Sequence, residues 1–382
     1  MSAIGSLQTK REHNAPDDSY ITVLDGVRGI AIAMVLVFHF WQGSGVYDLP
    51  AGVQSVLRLL GIGQKGVDLF FVLSGFLITG ILLRTKGAPH YFRNFYARRA
   101  LRIFPLYYAV LLVCLIGGVA LSVPLYAWTK MWWYLLYLQN VAGTFWPTSV
   151  AGPEHFWSLA VEEHYYLFWP LVVLLFSRRA LVNVCLALIL GAVLIRALFI
   201  AMGLDVFTFT LCRLDTLALG SLLAIVFTSN WHWTAVVKWT RRLVLPLGCA
   251  AFASYFVLSG AGNPIVQTVK YSLFALLCAF ALVLALAPHA GNPMPAIASW
   301  ACLRAMGKTS YAMYVFHPFI YPLVLGRLYR SVWSPLRGML WPSLILEFVL
   351  VVGLTILTSR LSWAAFERPL LKVKDRFRYE PT

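Results

Sequence analysis

Long runs without a single charge restrict this chain to one kind of fold. ALVNVCLALILGAVLI at 180–195 and YSLFALLCAFALVLALA at 271–287 contain no Asp, Glu, Lys or Arg. Each approaches the roughly 20 residues that an α-helix needs to cross a hydrocarbon core of about 30 Å. Runs of this kind recur near 23–42, 66–84, 101–122, 128–142, 156–176, 180–202, 208–228, 243–260, 268–288, 309–329 and 342–362. The composition agrees: 60% of the 382 residues are hydrophobic and 12% are charged, against roughly 25% charged in a soluble domain. The fold class expected is all-α, a polytopic transmembrane helix bundle. Neither an internal repeat nor a low-complexity segment is visible, and one membrane domain without a soluble catalytic partner is expected.

The net charge is +16, which in a soluble chain would point to nucleic acid. Here the basic residues fall mainly between apolar runs, as membrane topology requires, so the partner is a lipid bilayer and not nucleic acid. Residues 1–20 are polar, and the first apolar run ends in HFWQGSG without a small-residue cleavage pattern. A retained first helix is expected there, not a signal peptide. The six cysteines have the spacing of neither a metal site nor a redox pair and read as buried free thiols.

Of the eleven apolar runs, 128–142 is short, rich in Trp and Tyr, and contains Lys130, features that suit the membrane interface. Leaving it out gives ten spans and puts both ends on one side. Lys10 and Arg11 at the start, and Arg368, Lys372, Lys374, Arg376 and Arg378 at the end, make that side cytoplasmic. The domain reading is therefore a cytoplasmic segment 1–20, a transmembrane domain 21–370 and a basic tail 371–382. With ten spans, 22 of the 31 Lys and Arg residues are cytoplasmic and seven are external, three of these in the loop holding Arg327, Arg330 and Arg337.

Ionisable residues inside such a bundle are costly and hence informative. LDGVRGIAIAMVLVFHF at 24–40 places Arg28 and His39 on one helix, roughly 16 Å apart along its axis at 1.5 Å per residue. Arg28 would sit near the cytoplasmic end and His39 in the outer half. A histidine there is either a hydrogen-bonded structural residue or a general base. QKGVDLFFVLSGFLITGIL at 64–82 puts Asp68 near an outer helix end, where a carboxylate needs a partner, while Gly66, Gly75 and Gly80 would permit close helix approach. YFRNFYARRALRIFPLYY at 91–108 clusters Arg93, Arg98, Arg99 and Arg102. Arg99 and Arg102 share a helix face, suiting either a polyphosphate or anionic lipid headgroups. EHFWSLAVEEHYYLFWP at 154–170 carries His155 at its mouth and Glu162 and Glu163 one to two turns on. Adjacent glutamates face different ways, so Glu162 is the one assigned to a site. Arg213 and Asp215, two apart, should likewise meet different neighbours. KTSYAMYVFHPF at 308–319 adds His317.

Together these segments resemble acyltransferase family 3 of membrane O-acyltransferases, from LDGVRG through GVDLFFVLSGFLIT, the Arg99-x-x-Arg102 pair, FWSLAVEEHYYLFWP, RLDTLALGSLLA and SYAMYVFHP to FERPLL. The motifs occur in the family's order along almost the whole chain. The resemblance implies a ten-helix fold in the bacterial cytoplasmic (inner) membrane and an acyl-coenzyme A donor, usually acetyl-coenzyme A. It implies an acceptor hydroxyl on an extracytoplasmic glycan or lipid-linked sugar, and no metal. It marks Arg28, His39, Arg99 and Arg102 as functional. Since FERPLL ends at residue 371 of 382, the chain resembles the family's stand-alone branch, which lacks an esterase-like second domain.

The mechanism expected from this reading has donor phosphates at Arg28, Arg99 and Arg102, and His39 as the base. Glu162 or Asp68 would orient the imidazole, and His317 would stabilise the oxyanion. An acyl-histidine intermediate at His39 is the alternative route. The competing class is a glycan or acyl-donor transporter with a His/Asp/Glu relay, against which stands the lack of an internal repeat.

Overall fold

The computed structural model describes residues 22–43, 54, 58–120, 128–229, 232–258, 263–287, 291–324 and 340–379. Among the described residues every regular element is helical. The long helices are α1 (Thr22–Gly43), α2 (Gly66–Arg84), α3 (Tyr91–Ala120), and, after two short ones, α6 (Trp157–Leu175), α7 (Arg178–Ala201), α8 (Leu214–Ser229), α9 (Trp233–Phe252) and α10 (Pro264–Leu286). The short pair are α4 (Trp128–Leu135) and α5 (Gln139–Phe145). Then come α11 (Met294–Ala298), α12 (Ala301–Lys308), α13 (Ser310–Pro322) and α14 (Leu340–Ser362). The N-terminal residues Lys10 and Arg11 and the loop with Arg327, Arg330 and Arg337 lie outside the described residues.

Seven helical stretches are long and apolar enough to cross a membrane: Thr22–Gln42, Arg58–Arg84, Tyr91–Gly117, Arg178–Ala201, Thr210–Ser229, Pro264–Leu286 and Leu344–Arg376. The chain is a multi-pass helical membrane protein. The remaining crossings expected from sequence correspond to α6, α9 and α13. These carry Glu162 and Glu163, carry Lys238, Arg241 and Arg242, and run for 13 residues, respectively. The stretch 128–142 is not one helix but parts of two, of eight and seven residues, each too short to cross. Lipid-facing surface shows as a leucine stripe on α7, where Leu186, Leu190, Leu194 and Leu198 recur every four residues and are each more than half exposed.

Two helices begin earlier than hydropathy suggests. α3 runs through the arginine cluster from Tyr91, and α9 includes Lys238, Arg241 and Arg242. Arginine and lysine are good helix formers, so charge ends the apolar run without ending the helix. Other ends follow local chemistry. Ser177 accepts from Ala180 N at the start of α7, and Asn263, followed by Pro264, accepts from Ile265 N and Val266 N at the start of α10. Lys86 donates to the Val173 and Phe176 carbonyls (2.8 Å each) at the end of α6.

The core is organised around α2, buried along most of its length. It crosses α8 where Gly75 meets the Leu217 backbone and Gly220 meets that of Val72. A Cβ at either glycine would collide with a carbonyl oxygen, so close approach requires the missing side chain. Gly66 plays the same part against Ala31 of α1, whereas a Cβ at Gly80 would meet nothing closer than Arg84 Nη1 at 3.5 Å. Gly26 and Gly29 let α1 lie against α11 and α12, which fold back along it through Ala298 and Leu303.

Several buried charges are paired. Asp68 binds Arg213 directly and lies 3.7 Å from Lys65 Nζ. Arg196 Nη2 donates to Asp215 Oδ2 at 2.8 Å, and Ser272 donates to the same oxygen at 2.7 Å. Arg213 and Asp215 thus face different partners, as their spacing requires. A hydroxyl ladder joins α2, α6 and α8: Trp169 Nε1 donates to Thr79, Thr79 to Ser221, and Tyr165 meets Ser221 at 2.6 Å. All six cysteines are free; Cys114, Cys185, Cys212 and Cys278 are buried as expected, but Cys249 and Cys302 are exposed.

Candidate active site

Two cavities with two lining residues in common lie in the bundle, and α1 contributes a side chain to each. Arg28, in its first half, lines one cavity with Arg99 and Arg102 of α3, Ser74 of α2, Glu162 and Tyr166 of α6, and Tyr311 of α13. His39, eleven residues on, lines the other with His155, Gln139, Asn140, Trp157 and Asp205. The cavities hold about 100 Å³ and about 470 Å³, and Val67 and Tyr314 line both. Those two residues therefore form part of the wall between them.

In the arginine cavity, Arg28 is tied to Asp25 one turn earlier at 3.1 Å. Among the described residues, no carboxylate lies within salt-bridge distance of Arg99 or Arg102. Arg99 stacks over the Tyr166 ring at 5.2 Å. Tyr166 donates to Ser74 at 3.0 Å, and Ser74 donates in a short hydrogen bond to Glu162. Three guanidiniums around one cavity, with a single carboxylate held aside by a serine, leave an excess of positive charge suited to a phosphorylated ligand.

In the histidine cavity the rings are fixed from behind. His317 is fully buried. Its Nδ1 donates to the Tyr314 carbonyl at 2.8 Å and lies 3.2 Å from that of Met313. His39 Nδ1 lies 3.0 Å from the Val35 carbonyl and 3.3 Å from His317 Nε2. The His39 and His317 rings meet edge to face, with centroids 4.6 Å apart. His155 Nε2 donates to the Val315 carbonyl at 3.2 Å. In the dividing wall, the Tyr314 hydroxyl donates to the His155 carbonyl at 2.7 Å and sits 2.6 Å from Ser158 Oγ.

The structure separates the residues that sequence had grouped. Arg28, Arg99 and Arg102 come together as expected. His39 is joined by His155 and His317. Glu162, expected at the His39 imidazole, instead sits in the arginine cavity, bonded to Ser74. Glu162 follows His155 by seven residues, about two helical turns, which carries it from the lining of the histidine cavity to that of the arginine cavity. Asp68 is also away from the imidazole: it lines neither cavity and its carboxylate is consumed by Arg213 and Lys65. His317, expected as an oxyanion donor, lines neither cavity either, and its one N–H is spent on backbone carbonyls. Tyr314, Tyr166 and Asn140 are cavity-lining residues that sequence reasoning does not single out, and Ser74 is legible there only as a deeper position on the Asp68 helix. A signal existed for Tyr314: Ser310, Tyr314 and His317 recur at spacings of four and three and so share one face of α13.

The described bundle thus holds an arginine-lined cavity and a histidine-lined cavity that share Val67 and Tyr314 in their linings. The chain belongs to the acyltransferase domain family, whose profile matches residues 21–363. It is 27% identical to the peptidoglycan O-acetyltransferase OatA of Listeria monocytogenes over 381 residues, covering 92% of this chain and 56% of that protein. It is 26% identical to the O-acetyltransferase OatA of Staphylococcus aureus over 400 residues, covering 95% of this chain and 59% of that protein. The chain thus spans little more than half the length of these relatives. No solved structure matches it.

Proposed function

We propose that the protein is an integral membrane O-acetyltransferase that takes acetyl from acetyl-coenzyme A and delivers it to a hydroxyl of an extracytoplasmic glycan, such as peptidoglycan or a lipid-linked sugar. The observation that carries this reading is the pair of cavities sharing the Val67 and Tyr314 wall. In this reading the bundle has ten spans in a bacterial cytoplasmic membrane, both termini are cytoplasmic, and the arginine cavity faces the cytosol. The basic-residue bias between the two sides supports that orientation.

The phosphates of coenzyme A bind Arg28, Arg99 and Arg102. The pantetheine arm spans the axial distance of about 16 Å from Arg28 to His39, given by eleven residues of continuous helix. The acceptor occupies the histidine cavity. Its described lining offers the amides of Gln42, Gln64, Gln139 and Asn140, the carboxylates of Glu154 and Asp205, and aromatic Trp157 and Phe207, with no arginine or lysine. Amides, carboxylates and aromatic faces suit a neutral polyhydroxylated acceptor.

His39 Nδ1 is committed to Val35 and His317, leaving Nε2 to act as the base. The acceptor oxygen forms the new ester bond to the acetyl carbon as its proton passes to His39 Nε2. The carbon–sulfur bond breaks, and the proton goes on to the departing thiolate.

The test is His39→Ala in membranes supplied with labelled acetyl-coenzyme A and peptidoglycan. General-base loss lowers transfer by about 10²- to 10⁴-fold. Undiminished transfer would sink the assignment of His39.

A further inference from the structure

The ring behind His39 has a role of its own. His317 has no access to either cavity, so it touches neither ligand. Its two nitrogens nevertheless have unlike surroundings. Carbonyl oxygens only accept, so the Tyr314 and Met313 carbonyls assign the proton of neutral His317 to Nδ1. The lone pair is then on Nε2, which points at His39 Nδ1 across 3.3 Å. The Val35 carbonyl assigns the His39 proton to Nδ1 by the same argument. The Nδ1–H of His39 is therefore shared between an oxygen of its own helix and a nitrogen of α13.

We propose that His317 is the positioning residue of His39, an imidazole serving where catalytic triads use a carboxylate. This rests on the base role of His39 proposed above. His317 accepts from His39 Nδ1–H, keeps the Nε2 lone pair of His39 turned to the acceptor cavity, and shares the charge of the imidazolium formed when Nε2 takes the proton. A carboxylate would add a full buried charge beside His155 in a span, whereas a neutral imidazole adds none. The chain runs Tyr314 carbonyl, His317, His39, acceptor hydroxyl, with every donor aimed at an acceptor. It also explains why α13 must be held firmly on α1, which the Tyr321 hydroxyl does by donating to the Leu36 carbonyl.

Variants of the full chain in membranes test this, with labelled acetyl-coenzyme A as donor and peptidoglycan as acceptor. His317→Phe keeps an aromatic ring and removes the acceptor nitrogen. It should lower kcat by about 10- to 100-fold, as loss of an orienting partner does elsewhere, with the donor KM unchanged because the arginine cavity is untouched. His317→Gln restores an acceptor near the position of Nε2 and should recover most of the lost rate. If Phe is not accommodated in the fold, His317→Leu makes the same comparison with Gln. Wild-type kcat in the apolar variant overturns the proposal, and so does a Gln variant no better than the apolar one, which would reduce His317 to packing. His39→Ala run alongside separates the two readings. Its full activity removes the base, whereas its inactivity beside a fully active His317→Phe removes only the positioning role.

Discussion

Two sets of charged residues lie inside this bundle, and they differ in what they touch. Asp68, Lys65, Arg213, Arg196 and Asp215 are fully buried and find their partners within the protein. Arg28, Arg99, Arg102 and His39 are half-buried, and each lines a cavity. Both sets are expensive to place in a membrane. The first offsets that cost by holding α2, α7, α8 and α10 together. In the second, Arg99 and Arg102 remain without a carboxylate partner among the described residues, and that unsatisfied charge is what a ligand would meet. Pairing, more than the presence of charge, separates scaffold from site.

The largest effects should fall on opposite sides of this divide. His39→Ala is expected to remove activity while leaving the melting behaviour intact. Asp68→Ala should do the reverse. It strands Arg213 without its carboxylate in a fully buried position, and breaking a buried pair costs about 3–5 kcal/mol. Thermal unfolding of detergent-solubilised protein reads this directly. An Asp68→Ala variant that melts with the wild type but fails to transfer acetyl would move Asp68 from the scaffold into the site.

A smaller effect belongs to the arginine pair. Arg99→Gln with Arg102→Gln removes charge-assisted hydrogen bonds to phosphate, each worth about 1.5–3 kcal/mol. The donor KM should rise roughly tenfold or more, since 1.4 kcal/mol corresponds to a factor of ten. Stability should hold, because neither guanidinium is paired with a buried carboxylate. A KM for acetyl-coenzyme A that does not move would return the pair to membrane topology.

Much of this division was legible in the sequence, and the missing part has a physical cause. Uncharged runs gave the helix bundle, and the Arg99-x-x-Arg102 spacing gave one face of one helix. Each depends on local periodicity, which the chain displays directly. Which helix meets which does not. Asp68 and Arg213 are 145 residues apart, and Ser74 and Glu162 are 88 apart. Their pairing follows from how α2 crosses α8 and α6, which the sequence does not display, so sequence alone offers either Glu162 or Asp68 as the partner of His39. His317 shows the same limit: it was found as a polar residue in an apolar helix, but its role depends on which nitrogen faces Val35's helix.

Helix crossing also sets the finest distinction, between glycines that look alike in the sequence of α2. Gly75 and Gly80 both sit in GVDLFFVLSGFLITGIL and both read as sites of close approach. At Gly75 an added Cβ would press on the Leu217 carbonyl of α8, a backbone atom that moves only if the helices part. Gly75→Ala should cost about 1–3 kcal/mol, as overpacking does, and should loosen the Asp68–Arg213 pair that the same crossing brings together. At Gly80 the added methyl would touch only the end of the flexible Arg84 side chain at 3.5 Å. Gly80→Ala then gains the better helix propensity of alanine, about 1 kcal/mol. Melting temperatures of the two variants should therefore move in opposite directions. Equal destabilisation would mean that Gly80 too lies against a helix and that the packing of α2 extends further than the Gly75–Gly220 crossing.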